Sequence, residues 1–314
     1  MELNESKVQI IKKTEPTSID YSYQKSISYS QYSVYKQCPY RWKLQYIDGH
    51  YIFEPSMFAV FGTAMHETLQ NYLEVMYETS GAEADRIDLE AYFKSQFIKE
   101  YERTMKSNND VHFSNPAEMR EFYNDGVSIL DFFRKKRGKY FSKKGWELVG
   151  IELPILHPVN DTHRNLYMKG YLDLVMYNKN TNEITIYDIK TSMYGWKDNA
   201  KKDPVKTAQL VIYKSYFSKQ YDIPIENINV EYFIVKRKLY ENCDFPQSRI
   251  QTFSPASGKV KQGKVNMSIN DFVNEAFTLD GKRNEDGTYF KTPSKKSCQY
   301  CPFSNDKTMC DKKN

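Results

Sequence analysis

"GYLDLVMYNKNTNEITIYDIKTS", residues 170–192, holds two runs of β-branched, aromatic and aliphatic residues around a polar turn, "NKNTN". Such a pattern reads as a β-hairpin. On the first strand Tyr171, Asp173 and Val175 share one face, and Leu172, Leu174 and Met176 share the other. On the second, Ile184, Ile186, Asp188 and Lys190 share a face. A turn centred between Asn180 and Thr181 sets Asp173 opposite Asp188, with Lys190 two residues on. Like charges opposed across a sheet destabilise it, and buried carboxylates without partners cost more. A fold that keeps such a pair needs a cation there. Hard oxygen ligands with room for water suit Mg²⁺ or Mn²⁺. Lys190 is placed to orient a water or to offset charge developing on a phosphorus centre. The plainer alternative is a solvent-facing hairpin with scattered charges. Against it, both strands are apolar on their other faces, as central strands are.

The flanking segments supply helices and further strands. "GTAMHETLQNYLEVMYE" (62–78) carries Met65, Leu69, Tyr72, Leu73 and Met76 at helical spacing. Residues 28–47 read as a helix broken or kinked at Pro39, and 88–107 and 117–141 as two more. "WELVGIELPIL" (146–156) alternates as a strand, followed by the hairpin. Then come a helix opening near Pro204, a strand at 228–239, a Gly/Lys loop or hairpin at 254–268, and a short helix capped by Ser268 or Asn270. Residues 1–25 read as a loose polar arm. This order predicts one α/β domain over 26–314: a helical insertion (66–145), a catalytic core with a mixed central sheet flanked by helices (146–240), and a tail (290–314).

His66 lies on the packed side of its helix, as a core histidine or a ligand. Glu152 sits among apolar neighbours on the strand before the hairpin. Gln209 and Tyr213, four apart in "AQLVIYKSYF", form one polar patch, at the edge of the core or against a phosphate or base. The basic runs "RKKRGKYFSKKGW" (134–146) and "GWKDNAKKDPVK" (195–206) are either solvated faces or nucleic-acid surfaces.

The chain has 314 residues, a net charge of +5 and five cysteines. An odd number of cysteines without a visible secretion signal argues against a disulfide framework. No apolar run approaches the roughly 18 residues of a membrane span, so an intracellular protein without a membrane partner is expected. Cys243 stands alone and reads as a free thiol. Cys298, Cys301 and Cys310 cluster near the C-terminus, and Cys38 lies far upstream in "SYSQYSVYKQCPYRWKLQY" (28–46). Four thiolates suit either tetrahedral Zn²⁺ or an iron–sulfur cluster.

Together these segments resemble the RecB-type branch of the PD-(D/E)XK nuclease superfamily. "GTAMHETL" resembles its histidine motif, "KGYLDLV" its Gly-x-x-Asp motif, "IYDIKTS" its Asp/Glu-x-Lys motif and "QLVIY" its Gln-x-x-x-Tyr motif, in the family's order. The resemblance implies a restriction-endonuclease-like core. It implies that His66, Asp173, Asp188 and the Ile189 carbonyl ligate a divalent metal, Mg²⁺ or Mn²⁺, and that Lys190 assists the attacking water. Glu152 matches a further acidic position, and Gln209 and Tyr213 would contact DNA. The four cysteines resemble those of the AddB-like and CRISPR-associated RecB-like exonucleases. There they bind a 4Fe-4S cluster that ties the tail to the first helix, here to Cys38.

The implied activity is metal-dependent hydrolysis of DNA phosphodiesters by an exonuclease acting on single strands or DNA ends, in recombination, repair or phage DNA metabolism. The setting would be the cytoplasm of a bacterial, archaeal or phage-infected cell. A non-catalytic DNA-binding protein, or the nuclease subunit of a helicase or CRISPR complex, is the alternative. No Walker phosphate loop is present, so a helicase motor would be a separate chain.

Overall fold

The computed structural model describes residues 3–13 and 25–311. Helix α1 (Glu5–Lys12) starts at Asn4, whose side chain accepts from Lys7 N. Leu3, Val8 and Ile11 are buried. Over residues 3–13 this corrects the expected loose arm: Val8 and Ile11 bury one side of a helix of about two turns, and Leu3 is buried just before it. Residues 14–24 of that arm lie outside the described residues. Strand β1 (Lys25–Ser28) follows, then α2 (Tyr29–Gln37) and α3 (Pro39–Tyr46). The break predicted at Pro39 falls between these helices. Cys38 is extended there, and Pro39 opens α3, where its missing N–H costs nothing.

Four helices come next: α4 (Met57–Glu78), α5 (Gly81–Asp85), α6 (Leu89–Ser107) and α7 (Pro116–Tyr140). Asp88 and Asn115 cap α6 and α7 by accepting from Ala91 N and Glu118 N. Strands β2 (Trp146–Pro158), β3 (Leu166–Asn178) and β4 (Glu183–Ser192) form an antiparallel meander. After α8 (Asp198–Lys202), α9 (Pro204–Tyr221) crosses over to β5 (Ile228–Lys236), which pairs parallel with β4. Strand β6 (Ile250–Phe253), helix α10 (Lys259–Ala276) and the short α11 (Lys295–Cys298) complete the chain. Segment 254–268, expected as a loop or hairpin, is a helix from Lys259 on. Val265, Ile269, Phe272, Val273 and Ala276 recur at helical spacing and are buried, and this face outweighs the Gly/Lys-rich opening.

The mixed sheet runs β1-β3-β4-β5-β6, with β2 on the second edge of β3. One face carries a core that includes Trp42, Ile184, Ile186, Val211 and Phe272, beneath α2, α9 and α10. The other carries Phe61, Met65, Phe93, Phe133, Leu174, Ile189 and Phe233, beneath α4, α6 and α7. The helical insertion is thus the second layer of the fold rather than an appendage. The expected single face for Leu172, Leu174 and Met176 does not hold. Leu172 belongs to the first core and the other two to the second. The change falls at Asp173, opposite a disturbed stretch of β2 that has a bulge between Leu148 and Gly150 and a left-handed Glu152 (φ 49°). Bulges increase local twist.

Candidate active site

The site is an opening in the sheet. Strand β2 occupies one edge of β3 along nearly all its length, so β1 and β4 share the other. β4 pairs with Leu174–Asn178 and β1 with Leu166–Lys169, leaving residues 170–173 without a strand on that edge. The observed register sets Leu174 against Tyr187 and Val175 against Ile186, as the turn position predicts. Asp173 and Asp188 come one position further on, where the ladder has ended. Asp173 takes the place of the missing backbone pairing: its Oδ2 accepts from Ile189 N at 2.7 Å. Gln70 from α4 covers the free carbonyl, its Nε2 donating to Asp173 O at 2.9 Å.

Asp188 is 1% exposed, its Oδ2 pairs with Lys190 Nζ at 2.7 Å, and its Oδ1 has no partner. Burial, then the charge of Asp173, pushes the Asp188 carboxyl up to about 6 against the pull of Lys190. Asp173 also rises to about 6, through burial first and Glu152 next, again opposed by Lys190. For Lys190 burial acts the other way, but Asp188 and Asp173 outweigh it and hold the ammonium protonated. One lysine therefore leaves two carboxyls incompletely compensated.

His66 reaches the opening from α4, its Nδ1 3.6 Å from Asp173 Oδ2. Burial, reinforced by Lys190, lowers its pKa and keeps the imidazole neutral, the form that ligates metals. Glu152 faces the same spot from β2, its Oε1 accepting from Gln70 Nε2 at 2.7 Å. The bulge between Leu148 and Gly150 and the left-handed backbone at Glu152 break the strand alternation there. Such strain, of order 1–3 kcal/mol, persists only where surrounding contacts hold it. Gln70 is a site residue that the sequence reading missed. Its signal was its place one helical turn after His66, on the same face.

From the opposite face of the sheet α9 brings Gln209 and Tyr213, joined by a 3.4 Å hydrogen bond from Gln209 Nε2 to the Tyr213 hydroxyl. Tyr213 is buried within reach of the charges of Asp188, Asp173 and Lys190. A Cβ at Gly170 would stand 2.9 Å from Tyr213 Cε1, so the glycine lets this ring close over the gap. The opening therefore gathers His66, Glu152, Asp173, Asp188, Lys190, Gln209 and Tyr213, with the Ile189 backbone between them.

Among the described residues no three His, Cys, Asp or Glu side chains already form a metal-holding group. The donor set nevertheless fits a hard divalent cation: two buried carboxylates incompletely compensated by one lysine, with a third acid and a neutral imidazole beside them. Elsewhere Cys38, Cys298, Cys301 and Cys310 all line one cavity at the junction of α2, α3 and the tail. Cys243 is exposed and apart from it. Of the two basic runs, the first is partly structural. Arg137 pairs with Asp85, and Lys143 donates to Thr79 O. In the second, Lys206 lies 4.2 Å over the Trp196 ring. No helix among the described residues is long and apolar enough to cross a membrane.

A family model for the PD-(D/E)XK nuclease superfamily matches residues 26–306. Among solved structures, the chain is similar to "Crystal structure of SSO0001" at 14% identity and a TM-score of 0.33, covering 88% of this chain and 93% of that one. No curated protein sequence matches the chain significantly.

Proposed function

The chain belongs to the PD-(D/E)XK nuclease superfamily, and from that premise we propose that it is a divalent-metal-dependent deoxyribonuclease, an exonuclease acting on single-stranded DNA or DNA ends. The observation that carries the reading is Asp188, a buried carboxylate whose close partner is the Lys190 ammonium alone, next to Asp173. In this reading Asp173, Asp188, His66 and the Ile189 carbonyl hold Mg²⁺ or Mn²⁺, with Glu152 beside them. The metal, when bound, supplies an activated water and charge neutralisation at the phosphate. Asp173, fixed by Ile189 N, keeps its position as substrate enters. Lys190, protonated, orients the attacking water and offsets charge growing on the phosphate oxygens. Tyr213, buttressed by Gln209, contacts the strand and limits water entry from the α9 side.

The test is cleavage of end-labelled single- and double-stranded DNA with Mg²⁺ or Mn²⁺, comparing the native protein with Asp188→Ala. We expect metal-dependent mononucleotide release by the native protein only, with DNA binding retained in the variant. If the native protein leaves both substrates intact in both metals, the reading is wrong.

For the four cysteines we propose a structural 4Fe-4S cluster, with Zn²⁺ as the competing occupant. The support is that four cysteines so distant in sequence line one cavity. An intact cluster gives a brown protein absorbing near 400 nm; a colourless anaerobic preparation with one equivalent of zinc decides for the alternative.

A further inference from the structure

A cavity of 390 Å³ is walled by α2, the start of α9 and α11. Its charged lining is Lys36, Lys206 and Lys296 against a single acid, Asp203. That acid is already engaged. Its Oδ1 accepts from Val205 N and Lys206 N, and its Oδ2 pairs with Lys296 Nζ at 2.7 Å. Lys206 is held below its ordinary pKa by burial, despite Asp203, and repulsion from Lys190 and Lys296 adds to this. Tyr29, also in the lining, feels the charge of Asp188 as well as that of Asp203. Tyr232, paired across the sheet with Asp188, donates from its hydroxyl to Lys206 O at 2.9 Å, and the Tyr29 hydroxyl donates to Val205 O at 3.2 Å. The cavity wall is thus tied to the strand pair that carries Asp188, and its cations outnumber the acid available to balance them. A group with spread negative charge would relieve that repulsion.

We propose that this cavity binds a second phosphate of the nucleic-acid strand, one whose neighbouring phosphodiester lies at Asp173, Asp188 and Lys190. The inference rests on the nuclease reading for the identity of the strand. The phosphate is either an internal backbone phosphate or a strand-end monoester. Lys36, exposed on α2, meets it at the rim, and Lys206 meets it at the α9 wall.

The experiment is fluorescence anisotropy with short single-stranded oligodeoxynucleotides bearing a 5′-phosphate, a 3′-phosphate or hydroxyls at both ends, in EDTA, so that cleavage plays no part. Lys36→Ala and Lys206→Ala are each expected to weaken binding by about 5- to 10-fold and to reduce the slope of log K against log salt by about 0.7, the value for one phosphate contact on a single strand. Lys99→Ala, on exposed α6 surface, is expected to change neither. A loss confined to one phosphorylated oligonucleotide supports a strand-end monoester there; an equal loss on all three supports an internal phosphate. Unchanged affinity and slope in both variants, with native melting temperatures, overturns the proposal. Lys36→Ala alone decides if Lys206→Ala disturbs its packing on Trp196. Failure of the nuclease reading registers separately, as absence of metal-dependent cleavage by a protein whose metal-free binding still depends on Lys36.

Discussion

Asp188 is buried with Oδ1 unpartnered and only Lys190 against Oδ2, and that has a thermodynamic signature independent of catalysis. Asp173 and Asp188 titrate near 6 in the folded protein, above the roughly 3.9 of an unfolded chain. Between those values the folded state binds protons that the unfolded state has released. The two groups therefore favour folding most below about pH 4 and progressively less as pH rises through about 6. Removing one charge should then help the metal-free protein at neutral pH. We expect Asp188→Asn in EDTA to be about 1–2 kcal/mol more stable than the native protein at pH 7, an advantage that vanishes near pH 4. Mg²⁺ should raise the melting temperature of the native protein but not of this variant. Thermal melts at three pH values, with and without Mg²⁺, check all three outcomes, and a variant less stable than native at pH 7 would contradict the argument. Gly170 makes a second, steric case. In Gly170→Ala the new methyl meets the Tyr213 ring, so a loss of about 1–3 kcal/mol should accompany lower activity, and Tyr213→Leu should relieve the stability loss but not the activity loss. The acid pair could be read from sequence because a tight turn sets hairpin register. Gln70 carried a signal in its spacing from His66, but its partners, and the backbone of Glu152, could not be read, because they are set only where β3 parts from β4.

Helices α4 and α9 meet this opening from opposite faces of the sheet, so its geometry depends on both layers being held to β4 and β5. On the α4 side a clamp does this just past β5. Arg237, 5% exposed, donates from its backbone N to Ser192 O and from Nη1 to Asp125 and Glu121 on α7. Its guanidinium lies 3.9 Å from the Phe122 ring centroid. Lys238 pairs with the same two acids. Burial separates their contributions. Asp125→Ala strands a buried guanidinium with half-exposed Glu121 as its remaining acid partner, and is expected to cost about 3 kcal/mol. Glu121→Ala, at the rim, is expected to cost under about 1 kcal/mol. Urea unfolding measures both, and equal losses would refute the burial argument. None of this clamp was readable in the sequence, since its partners lie more than a hundred residues apart. Strands β2 to β5 and helices α4, α6, α7 and α9 were readable, from their apolar and β-branched runs, from helical spacing in α4, and from Pro204 at the start of α9. The start of α10 and the whole of α1 were not: their apolar faces are short and set in lysine-rich or polar surroundings. Strand β1 was hidden because four residues carry no period and pair only through β3.

The corner between α2 and α3 meets the C-terminal tail, and direct contacts join them. Tyr40 N donates to Phe290 O, the Tyr40 hydroxyl to Met309 O, and the Thr292 hydroxyl to Gln37 O at 2.7 Å. Behind them Trp42, fully buried, packs against Tyr35, Tyr46, Phe272, Phe277 and Tyr289. The aromatic residues around Cys38 thus serve first to anchor α2 and α3 to α10 and the segment leading to the tail. Losing the cysteine centre should therefore free the tail without unfolding the core. Beyond Tyr289 the tail has little apolar anchorage apart from buried Phe303, and the isolated hydrogen bonds named above contribute only about 1 kcal/mol each. We expect Cys38→Ala to lose the absorbance near 400 nm and to become sensitive to protease at residues 290–311, while keeping a cooperative melt and the Mg²⁺-dependent shift in melting temperature. Absorption spectra, metal content and limited proteolysis of the native protein and the variant distinguish the outcomes. Retention of a full complement of iron or zinc by Cys38→Ala would mean that the cysteines lining this cavity do not act as one centre, and that packing alone holds the tail to the α2–α3 corner.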